Sequence, residues 1–226
     1  MTTDSMRNTL TEPRVAAALE RMFALADQDD AAFRRSRAAW PEGYEPTTSQ
    51  ERADASAEVY MPVSKDGGRL LYTLIRAVRP RTVVEFGTSF GISTLHLAAA
   101  VRDNGIGRVI TTEMSAAKVV AARNTFAETG LDDLITVLEG DALETLPRHL
   151  GVAGSVDFVL LDGWKELYLP VLHELEPRLA PGTLVLADDT EFESVQPYLR
   201  HVREPGNGYQ GVAFPVEDGM EISCRL

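Results

Sequence analysis

The stretch Thr82-Val83-Val84-Glu85-Phe86-Gly87-Thr88-Ser89-Phe90-Gly91 runs from a β-branched, apolar segment into a glycine turn, and a helical pattern opens at Ile92. Strand, glycine turn and helix are the first half of a βαβ unit. The same grammar recurs downstream. Short β-branched runs at Arg108 to Thr112, Leu134 to Leu138, Val156 to Leu161 and Thr183 to Ala187 alternate with amphipathic helical stretches. Such alternation predicts an α/β fold around a doubly wound, mostly parallel sheet. The helix after the second run is marked at both ends: Ser115 as N-cap, Val119, Ala122 and Phe126 on one face, and Gly130 as C-terminal cap. A helix over Ser194 to Val202 follows the fifth run. Two extended stretches, Gly211 to Val216 and Glu221 to Leu226, are joined by Glu217-Asp218-Gly219-Met220, and Asp-Gly predicts an antiparallel hairpin that closes the sheet.

Upstream, residues 1–60 read as an N-terminal helical extension and 61–226 as the main domain. Pro13 to Ala39 predicts one helix, with Val15, Leu19, Met22, Phe23 and Ala26 at helical spacing. Pro41-Glu42-Gly43-Tyr44-Glu45-Pro46 breaks it, and a second helix is expected over Ser49 to Val59. The aromatics this extension must place (Phe23, Phe33, Trp40) suggest a homodimer, or equally a cover for the sheet or a lid over the ligand pocket.

The chain has 226 residues, 44% of them hydrophobic, and a formal net charge of -12. That hydrophobic share suffices for a core, and the acidic surplus argues against nucleic acid or an anionic membrane, either of which needs clustered Lys and Arg. The densest basic group, Arg34-Arg35-Ser36-Arg37, reads as a solvated helix face. Cys224 is the single cysteine, so no internal disulfide forms. The start offers no basic stretch leading into an apolar run, and no apolar segment approaches the ~20 residues of a membrane span. The expected location is the cytoplasm.

In a doubly wound sheet, ligands bind beyond the carboxyl ends of the strands. The first strand ends on Glu85 and Gly87, with glycines spaced G-x-x-x-G rather than G-x-G-x-x-G, which disfavours a nicotinamide cofactor. The second ends on Glu113-Met114, where a carboxylate can accept hydrogen bonds from a ribose diol; the third ends on Gly140-Asp141-Ala142. Each acid alone reads as a cap or a solvated loop residue. Three at successive strand ends point to an adenosyl ligand without phosphates. The fourth and fifth strands end on Asp162-Gly163-Trp164-Lys165 and Asp188-Asp189. Hard oxygen ligands beside a lysine suggest Mg²⁺ or a similar cation. Equally, Asp188 and Asp189 could cap the next turn while Lys165 neutralises Asp162.

From Met61 onward the sequence resembles the cation-dependent catechol and caffeoyl-coenzyme A O-methyltransferase group of class I S-adenosylmethionine enzymes. The resemblance rests on Met61-Pro62-Val63, Val84 to Gly87 with Ser93, Glu113-Met114, Gly140 to Ala142, Leu161-Asp162-Gly163-Trp164-Lys165 with Tyr168, Ala187 to Asp189, and Pro215 to Met220. It implies a seven-stranded Rossmann-like fold and S-adenosyl-L-methionine as methyl donor. By position it sets Met61, Val63, Gly87 and Ser93 at the methionine part and Glu113 at the ribose. Ala142 and Trp164 fall beside the adenine; Glu85, Met114, Asp141 and Asp162 complete the cofactor shell. Asp162, Asp188 and Asp189 fall on the metal positions, and Lys165 on the general base. The implied acceptor is a hydroxyl on a small aromatic molecule. The family usually carries Asp-Asn where this chain has Asp188-Asp189. Three carboxylates against a divalent ion and a lysine give a formally neutral site, expected to hold metal at least as tightly. The short segment between Val202 and Asp218 lacks the acidic loop that meets a second catechol hydroxyl. A metal-independent methyltransferase and a non-catalytic cofactor-binding module are the alternative readings.

Overall fold

The structure is a computed structural model that describes residues 8–151, 154–216 and 218–226. Its described strands form one seven-stranded sheet: β1 (Thr82–Phe86), β2 (Arg108–Glu113), β3 (Ile135–Glu139), β4 (Val156–Leu161), β5 (Leu179–Ala187), β6 (Tyr209–Phe214) and β7 (Met220–Arg225). Their order is β3-β2-β1-β4-β5-β7-β6. The pairs within β3-β2-β1-β4-β5 are parallel, and β7 lies antiparallel between β5 and β6.

Period-two alternation divides the sheet into two dry faces. Val83, Val109, Phe158, Leu160 and Leu186 face one core, together with α4 (Lys65–Val78), α5 (Ile92–Asn104) and α6 (Ala116–Thr129). Val84, Ile110, Val159, Leu161 and Val185 face the other, against α7 (Ala142–Leu150), α8 (Tyr168–Leu175) and α9 (Gln196–Arg203). Helix α5 is buried nearly all round, from Ile92 to Val101, because α4 packs along it and α1 (Pro13–Ala26) covers part of its remaining side. Val15, Leu19 and Met22 of α1 belong to the same core cluster as Leu95 and Leu97. The N-terminal segment is therefore packed into the domain core. Ser115 caps α6 by accepting the Lys118 N–H, and Gly130 ends it in the left-handed conformation.

Several boundaries differ from the sequence reading. The expected single helix over 13–39 is two, α1 and α2 (Asp29–Ala38), because the apolar face stops at Ala26 and Asp27-Gln28-Asp29-Asp30 has no apolar side chain with which to continue it. The next helix, α3 (Ser49–Ala55), ends earlier than Val59. It starts on a capping box in which Thr48 and Glu51 satisfy each other's backbone N–H groups. Strand β5 starts at Leu179 rather than Thr183, and its pairing with β4 shifts register across Pro181-Gly182. The hairpin strands each begin earlier than expected, and Glu217 of its turn lies outside the described residues. Of the aromatics thought to need a partner, Phe23 packs on the core and meets His96 edge-on. Phe33, Trp40 and Tyr44 stack edge to face on one another at the surface. No described helix is long and apolar enough to cross a membrane.

Candidate active site

A cavity of about 470 Å³ opens at the carboxyl ends of β1, β2, β4 and β5, where the sheet order switches direction between β1 and β4. The turns after β1 and β4 meet at its base. Gly87 has φ +102°, and a Cβ there would lie 2.5 Å from the Asp162 carbonyl oxygen; a Cβ on Gly163 would lie 2.5 Å from the Phe86 ring. Only glycine lets the two turns touch, and the resulting hollow admits a ligand against bare backbone. Met61, Val63, Gly87 and Ser93 all line this end of the cavity.

Glu113, at the end of β2, accepts the Ser115 N–H on Oε1 and the Ser89 N–H on Oε2, both at 2.8 Å. The carboxylate is thereby fixed in direction, and each oxygen keeps a lone pair for a diol. Met114, Asp141, Ala142 and Trp164 line the cavity as well. Asp141 is also the N-cap of α7, accepting the Leu143 N–H at 2.8 Å. Trp164 lies 5.3 Å from the guanidinium of Arg52, itself ion-paired with Glu166.

One expected contact is corrected. Glu85 does not line the cavity. It is fully buried in β1, and its Oε2 accepts hydrogen bonds from Thr94 and Thr111 at 2.5 and 2.6 Å. Burial pushes its carboxyl up, against those hydroxyls and that of Ser93. Its position on the sheet interior, one residue short of the strand end, explains why it stays beneath the wall.

At the other end Asp162, Lys165, Asp188 and Asp189 share the cavity. The backbone ladder extends past the strands to place the first and third: Asp162 N–H donates to the Phe86 carbonyl and Asp188 N–H to the Leu161 carbonyl. Lys165 Nζ stands 2.7 Å from Asp189 Oδ2 and 3.4 Å from Asp162 Oδ1. It donates to the Tyr168 hydroxyl at 2.9 Å, which donates to the Asp188 carbonyl at 3.2 Å. Burial drives the Asp162 carboxyl well up; Lys165 opposes this, while Asp188, Asp189 and Glu85 add to it. Burial alone would lower the Lys165 ammonium, but Asp162 and Asp189 outweigh it and hold it up.

The two ends therefore invite different ligands. The glycine hollow and the fixed Glu113 carboxylate suit an adenosyl group that approaches backbone. The aspartates form an all-oxygen donor set with more negative charge than Lys165 offsets, which suits a hard divalent cation. Three carboxylates fill only part of such an ion's shell, so waters or an acceptor oxygen would complete it.

Sequence reading missed a clamp at the Gly87–Glu113 end of the cavity. Asp29 of α2 accepts the backbone N–H groups of Tyr60 and Met61, each at 2.7 Å. The Ser89 hydroxyl donates to the Tyr60 carbonyl at 2.5 Å, and the Tyr60 ring stacks on Phe90 with centroids 4.0 Å apart. Lys118 donates to Ser89 Oγ at 3.1 Å beneath that stack. Burial pulls its ammonium down to about 8, with Glu113 and Asp29 opposing. Met61, Ser89 and Asp189 have φ of +46°, +47° and +54°, and all three line the cavity, as backbone strain at functional sites tends to. The remaining described non-glycine residue with positive φ, Arg79, ends α4. Asp29 and Tyr60 are separated by 31 positions, so no local pattern joins them.

Residues 84–190 match a family model described as a methyltransferase domain. The chain is 33% identical over 178 residues to catechol O-methyltransferase B of Danio rerio, covering 74% of this chain and 66% of that protein. It is 30% identical over 151 residues to a catechol O-methyltransferase of Niastella koreensis, covering 65% of this chain and 67% of that protein. The chain thus spans about two thirds of the length of these curated relatives. Among solved structures it resembles an O-methyltransferase from Bacillus cereus in complex with SAH, at TM-score 0.65 and 20% identity, over 91% of this chain and 100% of that one. At that identity the likeness shows a shared fold.

Proposed function

This chain belongs to the class I S-adenosylmethionine-dependent O-methyltransferase family, and from that premise we propose that it methylates a hydroxyl of a small aromatic acceptor, with Mg²⁺ or another divalent cation bound. The observation that carries the reading is the convergence of Asp162, Asp188, Asp189 and Lys165 in the same cavity as the Gly87 hollow.

In this reading Gly87 and Glu113 seat the methyl donor, and the Asp29 clamp closes Tyr60 and Met61 over it. Asp162, Asp188 and Asp189 would hold the cation, which when bound lowers the pKa of a hydroxyl and fixes its orientation. Lys165 Nζ takes the acceptor proton. It is ion-paired with Asp189, so it becomes a base only as that carboxylate is engaged elsewhere. The hydroxyl oxygen then attacks the methyl of the sulfonium in line, a displacement whose rate rests on holding two reactants in register. Leu167 and Phe192 supply apolar lining, which suits a flat aromatic ring, and Trp164 is left to the adenine. One observation favours a second reading, metal-independent transfer: Lys165 already neutralises Asp189.

The test is methyl transfer from labelled S-adenosylmethionine to a panel of catechols and hydroxycinnamates, with chelated and Mg²⁺-repleted protein, beside calorimetry with S-adenosylhomocysteine. Expected are product-nucleoside binding in both states and transfer only with cation. Transfer that survives exhaustive chelation selects the metal-independent reading. Binding without transfer to any hydroxyl acceptor would overturn the proposal.

A further inference from the structure

We propose that His173, Glu176 and His201 form a second metal site, structural in role, for a first-row transition ion such as Zn²⁺. Three elements bring them together. His173 lies near the end of α8, Glu176 begins the 3-10 turn Glu176–Arg178 that follows, and His201 comes from α9. A spacing of three in a helical segment places His173 and Glu176 on one side. One ligand atom from each of the three residues lies within 4.8 Å of the others.

The state of these side chains fits capture of an ion. The His173 ring packs edge-on to His201, with centroids 4.9 Å apart, and among the described residues its nitrogens enter no hydrogen bond. Glu176 Oε1 is bonded to His201 Nε2 at 2.7 Å and accepts from the Tyr209 hydroxyl at 3.0 Å. Its Oε2 has no partner among the described residues. A carboxylate already oriented by a tyrosine is what a ligand shell needs behind it. His201 is braced too: the Asn207 amide donates to its carbonyl at 3.0 Å and faces Nδ1 at 3.3 Å. With the Asn207 NH2 facing Nδ1, the ring proton sits on Nε2 and is donated to Glu176. For Nε2 to ligate, that proton must move to Nδ1 and the Asn207 side chain must swing aside, giving up its bond to the His201 carbonyl.

Two imidazoles and one carboxylate are a borderline ligand set that selects Zn²⁺, Co²⁺, Ni²⁺ or Cu²⁺ over Mg²⁺ or Ca²⁺, with water in the remaining position. The all-oxygen cluster of the main cavity has the opposite preference. The two sites also lie at opposite ends of the sheet's strands. Glu176 sits just before β5 begins, and Tyr209 opens β6, which runs parallel to β5 because both are antiparallel to β7. The cluster therefore marks the amino end of β5, whereas the cavity lies at its carboxyl end. An ion there ties α8, α9 and the start of β6 together without touching the reacting groups. His173 is solvent-exposed and gives the ion an entry path.

The experiment uses the tag-free full-length chain, stripped with chelator and titrated with Zn²⁺ in excess Mg²⁺, so that the oxygen cluster is occupied. Co²⁺ absorption in the visible reports imidazole ligation. Expected are one Zn²⁺ per chain, a Tm that rises on its addition, and loss of affinity by at least about tenfold with loss of the Co²⁺ band in His173→Gln and His201→Gln. His173→Gln should melt like wild type without metal and keep full methyl transfer. Wild-type Zn²⁺ affinity and stoichiometry in a folded His173→Gln, or no Zn²⁺ binding by wild type, would overturn the proposal.

Discussion

Each end of the cavity buries one lysine, and the fold treats them oppositely. Lys118, 3% exposed, sits under the Tyr60–Phe90 stack, and burial pulls it down to about 8. Lys165 is also largely buried, yet Asp162 and Asp189 hold its ammonium up. Burial acts in the same direction on both. What differs is the company: Lys118 bonds to a hydroxyl and faces an aromatic ring, with Glu113 committed to two backbone N–H groups, whereas Lys165 is pressed directly between two carboxylates. Protonation in this cavity is thus set by the neighbours that distant strand ends supply, and either lysine can be moved by changing them.

The largest effect is expected from removing Lys165. If it carries the acceptor proton, Lys165→Ala should lower kcat by ~10²–10⁴-fold, with affinity for S-adenosylhomocysteine kept within a few-fold. Unchanged kcat would make the carboxylate end merely structural and erase the contrast between the two lysines.

Removing Lys118 should act on stability instead. Its folded ammonium, at about 8, lies below the ordinary 10.5, so between those values the unfolded chain binds more protons and stability rises with pH. The penalty of the buried charge is complete below pH 8 and relieved above 10.5. It amounts to ~3 kcal/mol before the lost Ser89 hydrogen bond is counted against it. Lys118→Met should therefore be more resistant to urea than wild type at pH 7 and lose that advantage towards pH 10. An advantage that does not change with pH would show that Lys118 is not a strained charge.

A smaller change is expected at Asp29, which faces Lys118 and pins Tyr60 and Met61. Asn offers one acceptor oxygen where Asp offers two, so Asp29→Asn should weaken S-adenosylhomocysteine binding about tenfold and leave kcat at saturation nearly unchanged. Calorimetry and initial rates separate the two.

Smallest is Asp189→Asn. Removing the charge 2.7 Å from Lys165 lowers the lysine, and the acid limb of the rate profile should move to lower pH by about one unit. It should also weaken the divalent cation by a few-fold. A profile and metal affinity that both stay put would mean that the Lys165–Asp189 pair contributes nothing in the working enzyme.

Much of this architecture was legible because its signals are local. The β-branched runs, the Ser115 and Gly130 caps, the Asp218-Gly219 turn and the acids at Glu113, Asp141, Asp162, Asp188 and Asp189 each declare themselves within a few residues. Glu85 shows where such reading stops. An acid in a strand looks the same whether its side chain reaches the cavity or the threonines beneath it, and only the paired strands and α5 decide. Lys118 reads as an ordinary residue on α6, and its burial depends on an aromatic stack from two other segments. The clamp by Asp29 and the cluster of His173, Glu176 and His201 likewise join residues that only the packing of separate helices brings together.

Gly87 and Gly163 have a further consequence. Because neither turn leaves room for a methyl group at their contact, the loops after β1 and β4 mesh like gear teeth and give up conformational freedom together. A ligand that orders the first loop has then already met part of the ordering cost of the second. Such a saving is reciprocal by thermodynamic linkage, so a ligand seated at the Gly87 turn and one seated at the Asp162 turn should reinforce each other's occupancy.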